Sequence, residues 1–506
     1  MKHRLIAACA AATLIVAACG GDDDIADSTA VTTAESGVDT TAETTAETTV
    51  EATTVADTTA DTGADTAPET TAGDAEETAT TTTASDGVLN VPDDFESIQA
   101  AVDAAAPGDL ILIAPGTYNE AVDVTTDELT IRGLERDTVI LDGEFELDNG
   151  IRVLGAQDVA VENLTAMNYT NNGVFWVGST GYRASYITTY RTGDYGIYAF
   201  DSTNGLIEKS HTVGSKDAGV YIGQCYPCDA VMTDIESNNN GLGYSGTNSG
   251  GNLLIVNSSV HHNRAGIVPN SGSYELCYPE RETTLVGNLV YDNNQTDTPA
   301  IDVALLAQGN GILIAGGINN VVERNRVDNH NRTGIGLVPF LEEFPNDDMP
   351  TEDEWAVPCS EQKLETPVVP EGALLWDSLG NSVSGNVVTD SREADLAVAS
   401  AGSDISTFNN CFSNNEFTTS APTDLQSLAP CGAAGSGGDW TAGDLNVARW
   451  IAEQAGLPGE VDWREAPLPE LGAHENMPDA ATAPATAALN MPPTVDLDAI
   501  QVPELP

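Results

Sequence analysis

Lys216 and Asp217 stand next to each other in a chain that has only four lysines, and Lys209 and His211 lie just ahead of them. Arg183 and Arg191 are close by in sequence. A base of this kind can take the α-proton of a uronate while a neighbouring cation neutralises its carboxylate. Lys216 and Asp217 beside Tyr198 and Tyr221 are therefore the candidate catalytic set, with His211 as a further base. Phe175, Tyr198 and Tyr221 recur at intervals of 23 residues. Aromatic faces repeated in this way stack on sugar rings, although neighbouring rings on a sheet also pack on each other or beneath a loop. Asp148, Asn171, Asp194 and Asp217 form a parallel series. Oxygen ligands of this type suit Ca²⁺, and the same residues suit a tight turn that recurs.

These series need a scaffold that repeats, and the glycines supply one. Gly150, Gly173, Gly196, Gly219, Gly243, Gly266, Gly311 and Gly334 are each followed by an aliphatic or aromatic residue, at steps of 23, 23, 23, 24, 23, 45 and 23. A short unit on such a period marks a solenoid, because one coil cannot bury its own apolar face. Alternation such as Gly196-Ile197-Tyr198-Ala199-Phe200, bounded by Gly, Asn, Asp and Ser, predicts strands and tight turns. The fold class is all-β, a parallel β-helix. Residues one and three after each glycine face inward and the residue two after it faces out, which sets Phe175, Tyr198 and Tyr221 on one exposed face about 4.8 Å apart. Asn288, Asn293, Asn325, Asn329 and Asn386 suit repeated turns and side-chain stacking between coils.

Ahead of the repeat, Asp93-Asp94 and the apolar residues Phe95, Ile98 and Val102 predict a short Asp-capped helix. It is placed to cover the solenoid's open end. From Val91-Pro92 to Pro115-Gly116-Thr117-Tyr118 the chain resembles the opening of right-handed parallel β-helix proteins of the pectate-lyase-like superfamily. The resemblance spans roughly residues 89 to 420, and it implies right-handed coils of three strands. It does not extend to an activity. The Gly-His-Gly stretch of glycosidases with this fold and the Asp-Pro-His-Asp signature of mannuronan epimerases are both absent. The fold also serves glycan-binding and adhesin-like surface proteins.

The ends of the chain read differently. Residues 1–18 carry Lys2, His3 and Arg4 before a short apolar run, and Val16-Ala17-Ala18-Cys19 resembles a bacterial lipobox. Lipid on Cys19 is the implied anchor, facing the protein outward from a cell membrane without crossing it. Residues 19–88 form an acidic tether, with 17 acidic residues and no Lys or Arg between 20 and 88, and are expected to be disordered. The β-helix occupies 89–431. Residues 432–506 contain a helix at about 441–454 and a Pro/Ala-rich tail that either lies along the solenoid or stays mobile. Excursions interrupt the repeat at 269–283, 295–308 and about 340–376, where loops of solenoids carry binding groups.

Six cysteines remain in the exported chain: Cys225, Cys228, Cys277, Cys359, Cys411 and Cys431. An even count outside the cell favours disulfides. Cys277 with Cys359 would join two excursions and Cys411 with Cys431 would staple the last coil, which leaves Cys225 with Cys228. Six cysteines allow fifteen pairings, and the C-x-x-C pair also suits zinc or redox chemistry. The net charge of −60, from 78 acidic and 18 basic residues, disfavours nucleic acid and anionic membrane surfaces as partners. The expectation is a monomeric, lipid-anchored β-helix that binds or processes a polysaccharide, as a lyase if it is an enzyme, with Ca²⁺ as a candidate cofactor. The alternative is a structural or protein-binding surface protein.

Overall fold

The computed structural model describes residues 87–342, 359, 374–454, 456–457, 461–486 and 492–506. The signal segment, Cys19 and the tether up to residue 86 lie outside the described residues. From Val88 onward the chain winds into coils of three short strands, each paired in parallel with its counterpart one coil away, as Ile197 with Val220 and His211 with Glu236. The result is a right-handed parallel β-helix with three long sheets. Strands such as Thr203–Glu208 build the first sheet, His211–Val213 the second and Ala218–Gly223 the third. Two long strands, Val159–Tyr169 and Thr180–Thr192, run round the corner from the first sheet into the second.

That corner turns on one left-handed residue per coil. Asn163, Tyr186, Lys209, Asp234 and Asn257 all have φ between 48° and 56°, a region that asparagine and aspartate tolerate best. Tyr186 and Lys209 are held there by the coils on either side. The repeating glycine has a different cause. A Cβ on Gly196 would lie 2.6 Å from the carbonyl oxygen of Gly219, and one on Gly173 the same distance from that of Gly196. The next coil passes too close for a side chain.

Inside, Ile151, Val153, Val174, Trp176, Ile197, Ala199, Val220 and Ile222 are fully buried, as the alternation requires. Asparagines line the corners in ladders. Asn288 Nδ2 donates to Asn325 Oδ1 (2.9 Å), Asn325 to Asn386 (3.0 Å) and Asn386 to Asn415 (2.9 Å). Each satisfies a buried amide that would otherwise carry a desolvation cost.

The N-terminal helix is Ile98–Ala104, and its cap is Ser97, whose side chain accepts from Ala100 N. The expected Asp cap fails because Asp94 is taken by Asn90 (2.7 Å), while the Glu120 carboxylate accepts from the amides of Ile98 and Gln99 (both 3.0 Å). The excursion at 295–308 contains a helix that the sequence did not announce, Asp302–Ala307. At the two ends of the excursion at about 340–376, Phe340–Glu342 and Leu374–Trp376 pair antiparallel. The C-terminal helix is Val447–Gln454, shorter than expected because Asp439 accepts from the amide and hydroxyl of Thr441 (2.9 and 2.8 Å) in a preceding turn. Disulfides join Cys225 to Cys228, Cys277 to Cys359 and Cys411 to Cys431.

Where described, the tail lies along the outer face of the first two sheets, pinned by arginines that donate to its carbonyls. Arg191 holds Ala466 (2.8 Å), Arg132 holds Ala483 and Pro484 (2.7 and 2.9 Å), and Arg324 holds Leu497 (2.7 Å). Ile500 packs on Val256 and Val286. Guanidinium groups that read carbonyl oxygens need no particular side chain on the segment they hold.

Candidate functional site

The third sheet sets the aromatic series in register, with Arg152, Phe175, Tyr198 and Tyr221 aligned from strand to strand. Ring centroids are 4.9 Å apart between Phe175 and Tyr198 and 4.8 Å between Tyr198 and Tyr221. Two rings extend the series. Tyr195 stacks on Tyr198 at 4.5 Å, and Phe200 lies parallel to Tyr198 at 5.8 Å. Phe200 was legible as the next outward position of the same strand, whereas Tyr195 precedes the glycine and falls outside the alternation. Phe175, Tyr198 and Phe200 are half-buried, but Tyr221 is only 2% exposed. The expectation of three exposed rings is corrected here. The first excursion folds back so that Glu275 Oε1 accepts from the Tyr221 hydroxyl at 2.5 Å. Burial, and then the Glu275 carboxylate, push that phenol's pKa well above its ordinary value. Arg152 closes the other end, paired with Asp123 at 2.9 Å.

Lys216 and Asp217 lie in the turn that enters strand Ala218–Gly223, which carries Tyr221. The carboxylate series occupies the same corner in successive coils. Its backbones form a ladder, with Asn171 N donating to Asp148 O (2.9 Å), Asp194 N to Asn171 O (2.9 Å) and Asp217 N to Asp194 O (3.0 Å). Asp148 lies 3.7 Å from Arg152. Among the described residues no group of three or more His, Cys, Asp or Glu side chains has an arrangement that could hold a metal ion, and Asp148, Asp194 and Asp217 are included in that statement.

The basic residues that are close in sequence do not gather in space. Arg183 is on the first sheet with Glu208 (2.6 Å) and Glu162 (3.5 Å), Lys209 is 3.8 Å from Asp234, and Arg191 is occupied by tail carbonyls. His211 is on the second sheet, away from the corner that carries Lys216. Its Nε2 is 2.7 Å from Asn238 Nδ2, which can only donate, so the imidazole proton is on Nδ1. That Nδ1–H donates to His474 Nε2 (2.9 Å), and His474 Nδ1–H donates in turn to Asp137 Oδ1 (2.7 Å). The relay docks the tail and fills both ring nitrogens of His211, which leaves neither to take a proton from a substrate. Burial lowers the His211 pKa to about 4. Glu236 stands beside it, 3.4 Å from His261 Nε2, and that hydrogen bond holds its pKa below the usual carboxylate range. His474 was beyond sequence reasoning, since nothing local marks a tail histidine for a site 263 residues away.

A family described as the right-handed β-helix region matches residues 172–339. Pectate lyase PEL9 of Emericella nidulans is 27% identical over 143 residues, covering 27% of this chain and 32% of the relative. The match thus spans about a third of that curated protein's length. Among solved structures, the A-module of the Azotobacter vinelandii mannuronan C-5 epimerase AlgE4 is similar at 15% identity and a TM-score of 0.39, covering 69% of this chain and 96% of that one. Pectate lyase Pel9A is similar at 13% identity and a TM-score of 0.35, covering 69% and 82%. The three-sheet coils and the matched repeat region make this chain a right-handed parallel β-helix protein, pectate-lyase-like in architecture.

Proposed function

We propose that the β-helix binds a polysaccharide along the aromatic face of its third sheet and that lipid on Cys19 holds it at the cell surface. The observation that carries the reading is the continuous group of Phe175, Tyr195, Tyr198 and Phe200, with ring centroids 4.5–5.8 Å apart about Tyr198. A face of this kind accepts sugar rings in succession, because each ring offers an apolar face and Tyr adds a hydroxyl. The partial likeness to a pectate lyase supports a polysaccharide as the ligand class. The test is retention of the full chain on immobilised acidic and neutral polysaccharides. Tyr198→Ala should weaken retention about tenfold, in line with loss of one stacked ring and its buried area, and unchanged retention would refute the reading.

A second reading is turnover. Lys216 and Asp217 stand at the turn into the strand that bears Tyr221, and Tyr195 lies 4.9 Å from that ring. On this reading the two residues supply the aromatic face with a cation and a carboxylate, the pair a lyase needs. Ultraviolet absorbance from unsaturated product, lost in Lys216→Ala and in Asp217→Ala with folding intact, is its signature. Retention without product leaves binding alone.

A further inference from the structure

A cleft of about 520 Å³ opens between the C-terminal helix Val447–Gln454 and the corners at Asn331-Arg332 and Arg392-Glu393. Three of the chain's 14 arginines (18 Lys and Arg less four Lys) line it: Arg332, Arg392 and Arg449. They are not equivalent. Arg332 is 5% exposed, lies over the Trp450 ring at 4.7 Å and donates to the Leu306 carbonyl. Arg449 is held between Glu393 and Glu453, and Glu393 also accepts from the Trp450 indole at 3.1 Å. Arg392 is exposed at the mouth, and its guanidinium makes no hydrogen bond or ion pair with any other described residue.

We propose that this cleft is a binding site for a single sugar unit that carries one carboxylate, separate from the aromatic face. The volume lies within the range of small-molecule sites, about 300–1,000 Å³. Arg392 supplies the free fork of donors that a carboxylate takes in bidentate fashion. The remaining lining carries Arg332 and Arg449, which pair with Glu393 and Glu453, together with Asp444 and amides from Gln308, Asn331 and Asn446. Carboxylates and amides accept from hydroxyls and guanidiniums donate to them, so the wall suits a hydroxyl-rich ligand. The three carboxylates disfavour a ligand with more than one negative charge. A uronic acid fits both requirements. A phosphate monoester, with about −1.5 to −2 charge at pH 7, meets repulsion, and a neutral hexose leaves Arg392 unused.

The test is calorimetric titration of the full chain with galacturonate, with galactose in parallel, at low salt. Galacturonate should bind, galactose should bind at least about tenfold more weakly, Arg392→Ala should cost galacturonate about tenfold or more, and Arg392→Lys should restore part of it. Arg392 is exposed and has no partner among the described residues, so its removal does not threaten the fold, and circular dichroism of each variant checks that. No binding of galacturonate, equal affinity for both sugars, or an unchanged affinity in Arg392→Ala would each overturn the proposal. Tyr198→Ala should leave galacturonate titration untouched, while Arg392→Ala should leave polysaccharide retention on the aromatic face untouched. The two sites therefore fail separately.

Discussion

The phenol of Tyr221 donates to the carboxylate of Glu275 at 2.5 Å, and with that bond the first excursion covers one end of the aromatic face. Tyr221 is thus a wall residue, and its neighbour Tyr198 is the half-buried ring at the centre of the group. Tyr221→Phe should cost about 1.5–3 kcal/mol of stability, the worth of a hydrogen bond to a charged group. Polysaccharide retention should stay within about twofold of wild type, whereas Tyr198→Ala should lose about tenfold. Thermal melts and retention measured on the same preparations check both. Equal loss of retention in the two variants would mean that Tyr221 is reached by ligand and the excursion does not wall it off.

Glu280 is fully buried, accepting from Thr283 Oγ1 and Asn320 Nδ2 (both 2.8 Å), and burial pushes its pKa up to about 8. Between the ordinary value of 4.5 and about 8, the unfolded chain ionises this group and the folded chain does not. Its contribution is complete below pH 4.5 and is lost as pH rises through 8. Glu280→Gln keeps an acceptor for Asn320 and never ionises. The variant should gain melting temperature over wild type at pH 8.5 and show no gain at pH 4. A gain of the same size at both would assign the effect to packing.

The coils were legible in the sequence because their rule is local and repeated. A glycine is forced wherever the neighbouring coil's carbonyl lies about 2.6 Å from the missing Cβ, as at Gly173 and Gly196, and asparagine is selected wherever a corner must satisfy buried amides, as at Asn288, Asn325 and Asn386. The site was less legible because its decisive contacts are distant. Glu275 reaches Tyr221 across 54 residues, and Arg132 reaches Ala483 across 351. The helix Asp302–Ala307 is too short for its periodicity to stand out from a loop. Proximity in sequence also misled: Arg183, Lys209, His211 and Lys216 divide among two sheets and two corners, because a coil of about 23 residues presents three faces.

Arg132 carries both the sheet and the tail. Its Nε donates to Glu162 at 2.7 Å with both side chains fully buried, while its terminal nitrogens hold Ala483, Pro484 and Thr486. Arg132→Met should destabilise by about 3–5 kcal/mol, since it leaves a buried carboxylate without its main partner. Adding Glu162→Gln should recover much of that loss, as uncharged buried pairs often do. The double variant should still be cut by protease within residues 461–486 faster than wild type, because the carbonyls there have lost their donor. Wild-type resistance in the double variant would show that the tail does not depend on Arg132.

The relay through His211 predicts how the docked tail responds to acid. His211 has its pKa lowered to about 4 from 6.5, chiefly by burial, with Glu236 opposing and His474, Arg136 and His261 reinforcing the shift. Between these values the unfolded chain binds a proton that the folded chain refuses, so stability must fall as pH drops from 6.5 towards 4. The geometry gives the same sign. His211 Nε2 accepts from Asn238 and its Nδ1–H already points at His474, so an added proton would set donor against donor. His330, fully buried with its pKa lowered to about 3, adds to the same slope from the core. His211→Gln should therefore flatten the stability profile between pH 6.5 and 4 without abolishing the slope, and His211→Gln with His330→Gln should flatten it further. Protease cutting within 461–486 separates the two histidines: in wild type it should accelerate below pH 5, and this acceleration should survive His330→Gln and vanish in His211→Gln. If cutting is independent of pH, the His211–His474 contact does not govern docking, and the acid response belongs to the core.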